Sequence, residues 1–245
     1  MHPLLPLVPF LFLGATLYAS VGHGGATIYL AIFTIAGVPT APLVPTILLW
    51  NILVAGVAFV AFHRAGHLRA ELLFPLIVTS VPMAYVGGLV PLSGPAQAWV
   101  LAVALLAGAA RLILVRPTTE SATVQAASWR WPLSLAVGAV LGFLAGTTGI
   151  GGGIFLSPAL FFLGWAKIRE AGTVASAFIV LNSAAGLAAK WPRTPVDWSA
   201  FGVVAGAVLV GAIVGSHLGA HRLSPRILQT LLGVVLLAAS IRAVL

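Results

Sequence analysis

Residues Gly146–Pro158 read GTTGIGGGIFLSP: five glycines and two threonines interrupt an apolar run that would otherwise pass for one long membrane helix. In hydrocarbon an irregular backbone is tolerated only where protein or a water-filled cavity surrounds it. Each interior glycine also costs a helix roughly 1 kcal/mol relative to alanine. A break of this kind therefore calls for a packing or a functional reason.

The surroundings of the break are those of a membrane protein. Of 245 residues, 60% are hydrophobic and 7% charged, against roughly 25% charged in soluble domains. At about 20 apolar residues per crossing, eight to ten segments use nearly the whole chain and leave no room for a sizeable soluble domain. The formal net charge is +8, but the 12 Lys and Arg are scattered singly between apolar runs. That pattern marks topology and argues against a nucleic-acid partner. The absence of cysteine removes thiol chemistry and disulfides. The N-terminal MHPLLPLVPFLFLGA has no Lys or Arg ahead of its apolar stretch, so it reads as a first span and not as a cleaved signal peptide.

Apolar runs fall at about 4–21, 25–37, 42–62, 72–91, 96–115, 133–148, 153–165, 171–190, 198–217 and 224–245. The second and seventh hold about 13 residues, too short at 1.5 Å per residue for a core of about 30 Å. Both are expected to be half-helices. The polar stretch RPTTESATVQAASWR, Arg116–Arg130, separates two halves. The expected organisation is a first transmembrane repeat over 1–115, a cytoplasmic linker over 116–131 and a second repeat over 132–245.

The halves echo one another. Gly22-His-Gly-Gly25 lies 127 residues before Gly149-Ile-Gly-Gly152, and Gly37 lies 127 before Gly164. Asn51 and Asn182 are 131 apart, as are Leu92-Ser93 and Leu223-Ser224, and Arg111 and Arg242; Val86-Gly87 matches Val214-Gly215. If each short segment folds back toward the side its predecessor came from, each half has odd parity and the second is inverted. Arg64, Arg69, Arg116, Arg130, Lys167, Arg169, Arg222 and Arg226 then share one side, with only Lys190 and Arg193 opposite. Continuous spans would divide the same residues six to four. The positive-inside rule favours the inverted arrangement, with both termini outside the cytoplasm. The expected fold is thus an all-α polytopic membrane protein: two inverted repeats of five hydrophobic segments, the second of each short and following a Gly-rich break.

Two broken segments at matching positions of inverted halves point to a transport site near the midplane. The N-terminal N–H groups of the helix after each break carry about +0.5 charge, so two converging ends suit a small anion. The backbone candidates are Gly22, Gly24, Gly25, Gly149, Gly151, Gly152 and Gly153, with Thr148 as a hydroxyl donor. Asn51 and Asn182, near mid-depth of their spans, offer amides to the anion or to a neighbouring helix. His23 can donate to an oxyanion and titrate, or sit neutral on a backbone carbonyl. Small residues at regular spacing also pack membrane helices, which leaves structural packing as the plain alternative for the glycines.

Other chemistry finds little support. The run lacks the Gly-Lys-Ser/Thr ending of a nucleotide P-loop. Glu71, Glu120, Glu170 and Asp197 are the only carboxylates and lie in or beside loops, which disfavours a buried carboxylate relay. No paired intramembrane aspartates and no His-Glu-x-x-His motif are present, so an intramembrane protease is not expected. No cofactor or metal is expected either.

The run Gly149-Ile-Gly-Gly-Gly-Ile-Phe-Leu-Ser-Pro-Ala-Leu160 resembles the signature of the sulfite exporter TauE/SafE family, as do Gly164–Ala171 (GWAKIREA) and Thr173–Asn182. The first half departs from it, with His23 and Ala26 in the Gly-rich turn and no proline matching Pro158. The resemblance implies a multi-pass transporter of a bacterial inner membrane that moves sulfite, organosulfonates or related sulfur oxyanions, with His23 a candidate for substrate choice. Residues alone leave open another small anion, or a non-transporting scaffold subunit. The many small residues would also permit a homodimer.

Overall fold

The computed structural model describes residues 2–90, 106, 127–224, 226–228, 230–231, 233–234 and 237. Segment 96–115 apart from Leu106, most of 224–245, the linker up to residue 126, Leu92-Ser93, Arg111, Glu120 and Arg242 lie outside the described residues.

The described residues are helical, without strands. In chain order they form α1 (Val8–Ser20), α2 (Ala26–Ile35), α3 (Val44–Arg64), α4 (Ala70–Leu89), α5 (Ala127–Thr148), α6 (Gly153–Phe162), α7 (Ile168–Lys190) and α8 (Trp198–His217). Short 3-10 turns at Leu5–Leu7 and Ala41–Leu43 lead into α1 and α3, and a π-helical turn, Leu218–Arg222, ends α8. Among the described residues, five helical stretches are long and apolar enough to cross a membrane: Ala41–Arg64, Ala70–Leu89, Trp131–Thr148, Ile168–Lys190 and Trp198–Arg222. Helix α5 begins at Ala127, within the stretch read as linker, because the alanines there extend the helix beyond its apolar part.

Helices α2 and α6 have ten residues each, about 15 Å, or half of a hydrocarbon core of about 30 Å. They start and stop alike. Gly22, Gly25 and Gly37 are left-handed, and so are Gly149, Gly152 and Gly164, each 127 residues further on. Past the end of α2 the Val38 N–H bonds back to Phe33 O at 2.8 Å; past α6 the Trp165 N–H bonds to Leu160 O at 2.9 Å. These are equivalent 6→1 closures around a left-handed glycine.

Helix pairing has the same two-part logic. Helix α1 packs along α8 and α4 along α5; α3 lies against α7; α3 also meets α8, and α7 meets α4. Exchanging α1–α4 for α5–α8 maps this set of contacts onto itself. Both outer pairs run on small residues four apart. On α5, a Cβ at Gly138, Gly142 or Gly146 would strike the carbonyls of Leu76, Ser80 or Ala84 on α4. On α8, a Cβ at Gly211, Gly215 or Gly219 would strike those of Phe12, Thr16 or Ser20. Gly87 meets Phe143 O, just as Gly215 meets Thr16 O. Lipid is as apolar as leucine, so close backbone approach rather than hydrophobic burial holds such pairs.

The polar residues close the ends. Asp197 caps α8 by accepting from Ala200 N at 2.9 Å, and its own N–H reaches Thr46 on α3 at 2.9 Å. Glu170 accepts from Lys167 N at 2.9 Å, capping α7, and pairs with Arg69 at 3.4 Å. Arg169 donates to Leu223 O at 2.6 Å and to Gly219 O at 3.3 Å. Arg69, Lys167, Arg169 and the turn bearing Arg222 thus gather at one end of the molecule. In the α3–α4 loop, partial burial and the nearby Arg169 cation hold His67 below the ordinary imidazole value. At the far end, Arg193 donates to Leu89 O at 3.2 Å.

Gly146→Ala and Gly206→Ala make the same chemical change on two long helices. At Gly206, which faces open space, the higher helix propensity of alanine should hold or raise the melting temperature in detergent. At Gly146 the new Cβ meets Ala84 O and should lower it by several degrees. Equal responses would show that the α4–α5 approach is not tight.

Candidate functional site

The two breaks meet. Helix α1 ends at Ser20, just before Gly22, with the His23 N–H returning to Tyr18 O at 2.8 Å, and α5 ends at Thr148, with the Gly149 N–H returning to Ala145 O at 3.0 Å. Gly22 then approaches the backbone of Gly172 at the start of α7, where a Cβ would clash, and Gly149 abuts Val44 at the start of α3. Each break is pressed against the opposite half. Residues of both breaks converge on the middle of α3 and α7.

Asn51, on α3, ties them together. Its Oδ1 accepts from Ala26 N, the first N–H of α2, at 3.1 Å. Its Nδ2 donates to Ser183 Oγ on α7 at 2.9 Å and to Ile150 O, in the second break, at 3.4 Å. One amide therefore caps the helix after one break, reaches the carbonyl of the other and joins the two central helices. Gly24 and Gly151 admit it. A Cβ at Gly24 would collide with Asn51 Oδ1, and one at Gly151 would stand 2.5 Å from Asn51 Nδ2 and 2.6 Å from Ser183 Oγ.

Asn182 occupies the matching depth on α7 but is used differently. Its Nδ2 donates to Phe178 O at 2.7 Å and to Ser80 Oγ on α4 at 3.1 Å, and its buried Oδ1 has no partner among the described residues. His23 links the first break to α6. Its Nδ1 lies 3.1 Å from Val21 O and its Nε2 3.3 Å from Ser157 Oγ. A carbonyl only accepts, so a hydrogen bond to Val21 O requires the proton on Nδ1. Thr148 bonds its own helix at Leu144 O, at 2.6 Å. Gly152 and Gly153 pack on Phe178 and Ile179 of α7, and Gly25 lies beneath the Tyr29 ring.

His23, Asn51 and Asn182 are each 1% exposed. Entry of a ligand therefore requires the surrounding helices to part. Among the described residues no carboxylate joins the polar side chains that bond at the breaks, and the N-terminal N–H groups of two half-helices open there. The electrostatics suit an anion, not a cation. Two participants escaped the sequence reading. Ser183 follows Asn182 directly but has no counterpart beside Asn51, which is followed by Ile52. Gly172 lies in a run of small residues that gives no sign of the contact with Gly22.

The sequence model of the family described as sulfite exporter TauE/SafE matches residues 7–243. A protein of Sinorhizobium fredii (strain NBRC 101917 / NGR234), described as the probable membrane transporter protein y4hK, is 30% identical over 238 residues, covering 94% of each chain. No solved structure matches. A match over nearly the whole length, on a chain of apolar helices with paired breaks, makes this protein a multi-pass membrane transporter of the sulfite exporter TauE/SafE family.

Proposed function

We propose that the protein transports a small sulfur oxyanion, sulfite or an organosulfonate, across the bacterial inner membrane by alternating access around the junction of the two breaks. The observation that carries this reading is the junction itself: two ten-residue helices, each starting at a left-handed glycine, with Asn51 spanning both breaks. Helix starts offer N–H groups and partial positive charge without lysine or arginine, and a cationic side chain would cost about 2.5–3.5 kcal/mol or more at that depth. The family description supplies the substrate class.

The halves, in this reading, are inverted repeats that rock about the junction. Support comes from the glycines matched at an offset of 127, from helix contacts that survive exchange of the halves, and from the gathering of Arg69, Arg169 and Arg222 at one end. That end is the cytoplasmic one under the positive-inside rule. The linker belongs to the same side. Gly22, Gly24, Gly25, Gly149, Gly151, Gly152 and Gly153 let backbone approach the anion, and Thr148 lies beside them. Asn51 and His23 tie the breaks to their neighbours, Asn182 offers its amide to the anion from the matching depth of α7, and His23, present in the first break alone, tunes substrate choice. The chain functions alone or as a homodimer.

Flux of sulfite through proteoliposomes tests the site. Gly151→Val places a branched side chain against Asn51 and Ser183 and should abolish flux while the protein still inserts and purifies; wild-type flux would refute the assignment. Topology has its own test, convenient in a chain without native cysteine. Cysteines placed singly at positions 67 and 121 should both label from the cytoplasmic face, and labelling from opposite faces would rule out the inverted arrangement.

A further inference from the structure

Tyr18 and Tyr29 are 2% and 0% exposed, and neither phenol oxygen has a hydrogen-bond partner among the described residues. Buried hydroxyls are almost always paired, so two unpartnered ones at the same junction require an explanation. Their positions narrow it. Tyr29 lies in the first turn of α2 with its Cζ and Oη against Gly25, the residue that caps that helix: a Cβ on Gly25 would stand 2.7 Å from each. Tyr18 ends α1, edge-on to His23 with ring centroids 6.5 Å apart, and packs with Ile154 and Phe155 at the start of α6. Ile150 of the second break touches both groups of residues, the one around Tyr29 and the one around Tyr18. Tyr29 thus lies at the start of α2, and Tyr18 beside His23 and the residues that open α6.

We propose that Tyr18 and Tyr29 determine specificity by donating their O–H groups to separate oxygens of the transported oxyanion, a step that rests on the junction being its site. The remaining polar groups there are largely committed. Asn51 Oδ1 takes the first N–H of α2, Asn51 Nδ2 is spent on Ser183 and Ile150, and both nitrogens of His23 are engaged. Among the described residues, the two phenol oxygens are buried and make no hydrogen bond at all. They come from one half only, because Ala145 and Leu156 stand 127 residues beyond Tyr18 and Tyr29. Helix starts attract negative charge of any shape. Two neutral donors on different helices reward a ligand with several acceptor oxygens, and so select sulfite or a sulfonate over chloride.

Tyr18→Phe and Tyr29→Phe remove only the hydroxyls and keep the rings, so packing is preserved. The measurement is the sulfite concentration dependence of flux in proteoliposomes, together with inhibition by chloride and the melting temperature without anion. Each variant should need roughly tenfold or more sulfite for half-maximal flux, discriminate less against chloride, and melt no lower than wild type because an unpaired buried group has been removed. Unchanged sulfite dependence and selectivity in both variants, with wild-type flux intact, would overturn the role of the tyrosines and leave the junction standing. Absence of sulfite flux in folded wild-type protein would overturn both readings.

Discussion

Backbone that leaves helical geometry at membrane depth has to find its hydrogen bonds inside the protein, and the side chain that most directly meets that demand here is Asn51. Its amide oxygen takes the first N–H of α2, while its amide nitrogen reaches the carbonyl of Ile150 and the hydroxyl of Ser183. Without such a bridge, two Gly-rich breaks facing each other would leave polar backbone groups stranded in an apolar interior. With it, they form a compact polar centre in a chain that is 60% hydrophobic. The glycines around it are small for a specific reason. Gly24 and Gly151 make room for the asparagine, and Gly22 makes room for the backbone of α7.

Packing farther out holds that centre in place. The α1–α8 and α4–α5 pairs, each seated on glycines four residues apart, bring one helix from each half into backbone contact. Helices α3 and α7 cross between them and carry the two asparagines. The halves are thus interleaved, and the breaks sit where motion of one pair against the other would be felt. Charge completes the arrangement. Both Glu170 and Asp197 act as helix caps, outside the polar centre, which leaves the helix starts free of competing carboxylates.

Much of this was legible in the sequence, for identifiable reasons. Half-helices follow from counting residues against a fixed bilayer thickness, and α2 and α6 are both ten residues long. The offset of 127 is visible because glycine is the residue that readily takes a left-handed turn, so a repeated turn leaves a repeated letter. Asn51 and Asn182 could be located but not interpreted. Whether an amide faces a ligand or a helix start depends on side-chain reach across three helices, and the two asparagines turn out to be used differently. Tyr18 and Tyr29 gave no signal, since an aromatic residue in an apolar run looks like ordinary core. Helix α5 starts at Ala127, ahead of the apolar run that begins near residue 133, because alanines beside a polar linker carry helix propensity.

The central claim is that the meeting point of the two breaks binds an anion. Its most direct test is the melting temperature of the purified protein in detergent against sulfite, sulfoacetate, taurine, sulfate, thiosulfate and chloride, alongside the Gly151→Val variant. A ligand present at 100 times its dissociation constant stabilises the folded state by about 2.7 kcal/mol if it binds only that state. The account requires a selective rise with one sulfur oxyanion in the wild type and none in the variant. A folded wild-type protein that no anion stabilises, or a variant stabilised equally, would contradict it.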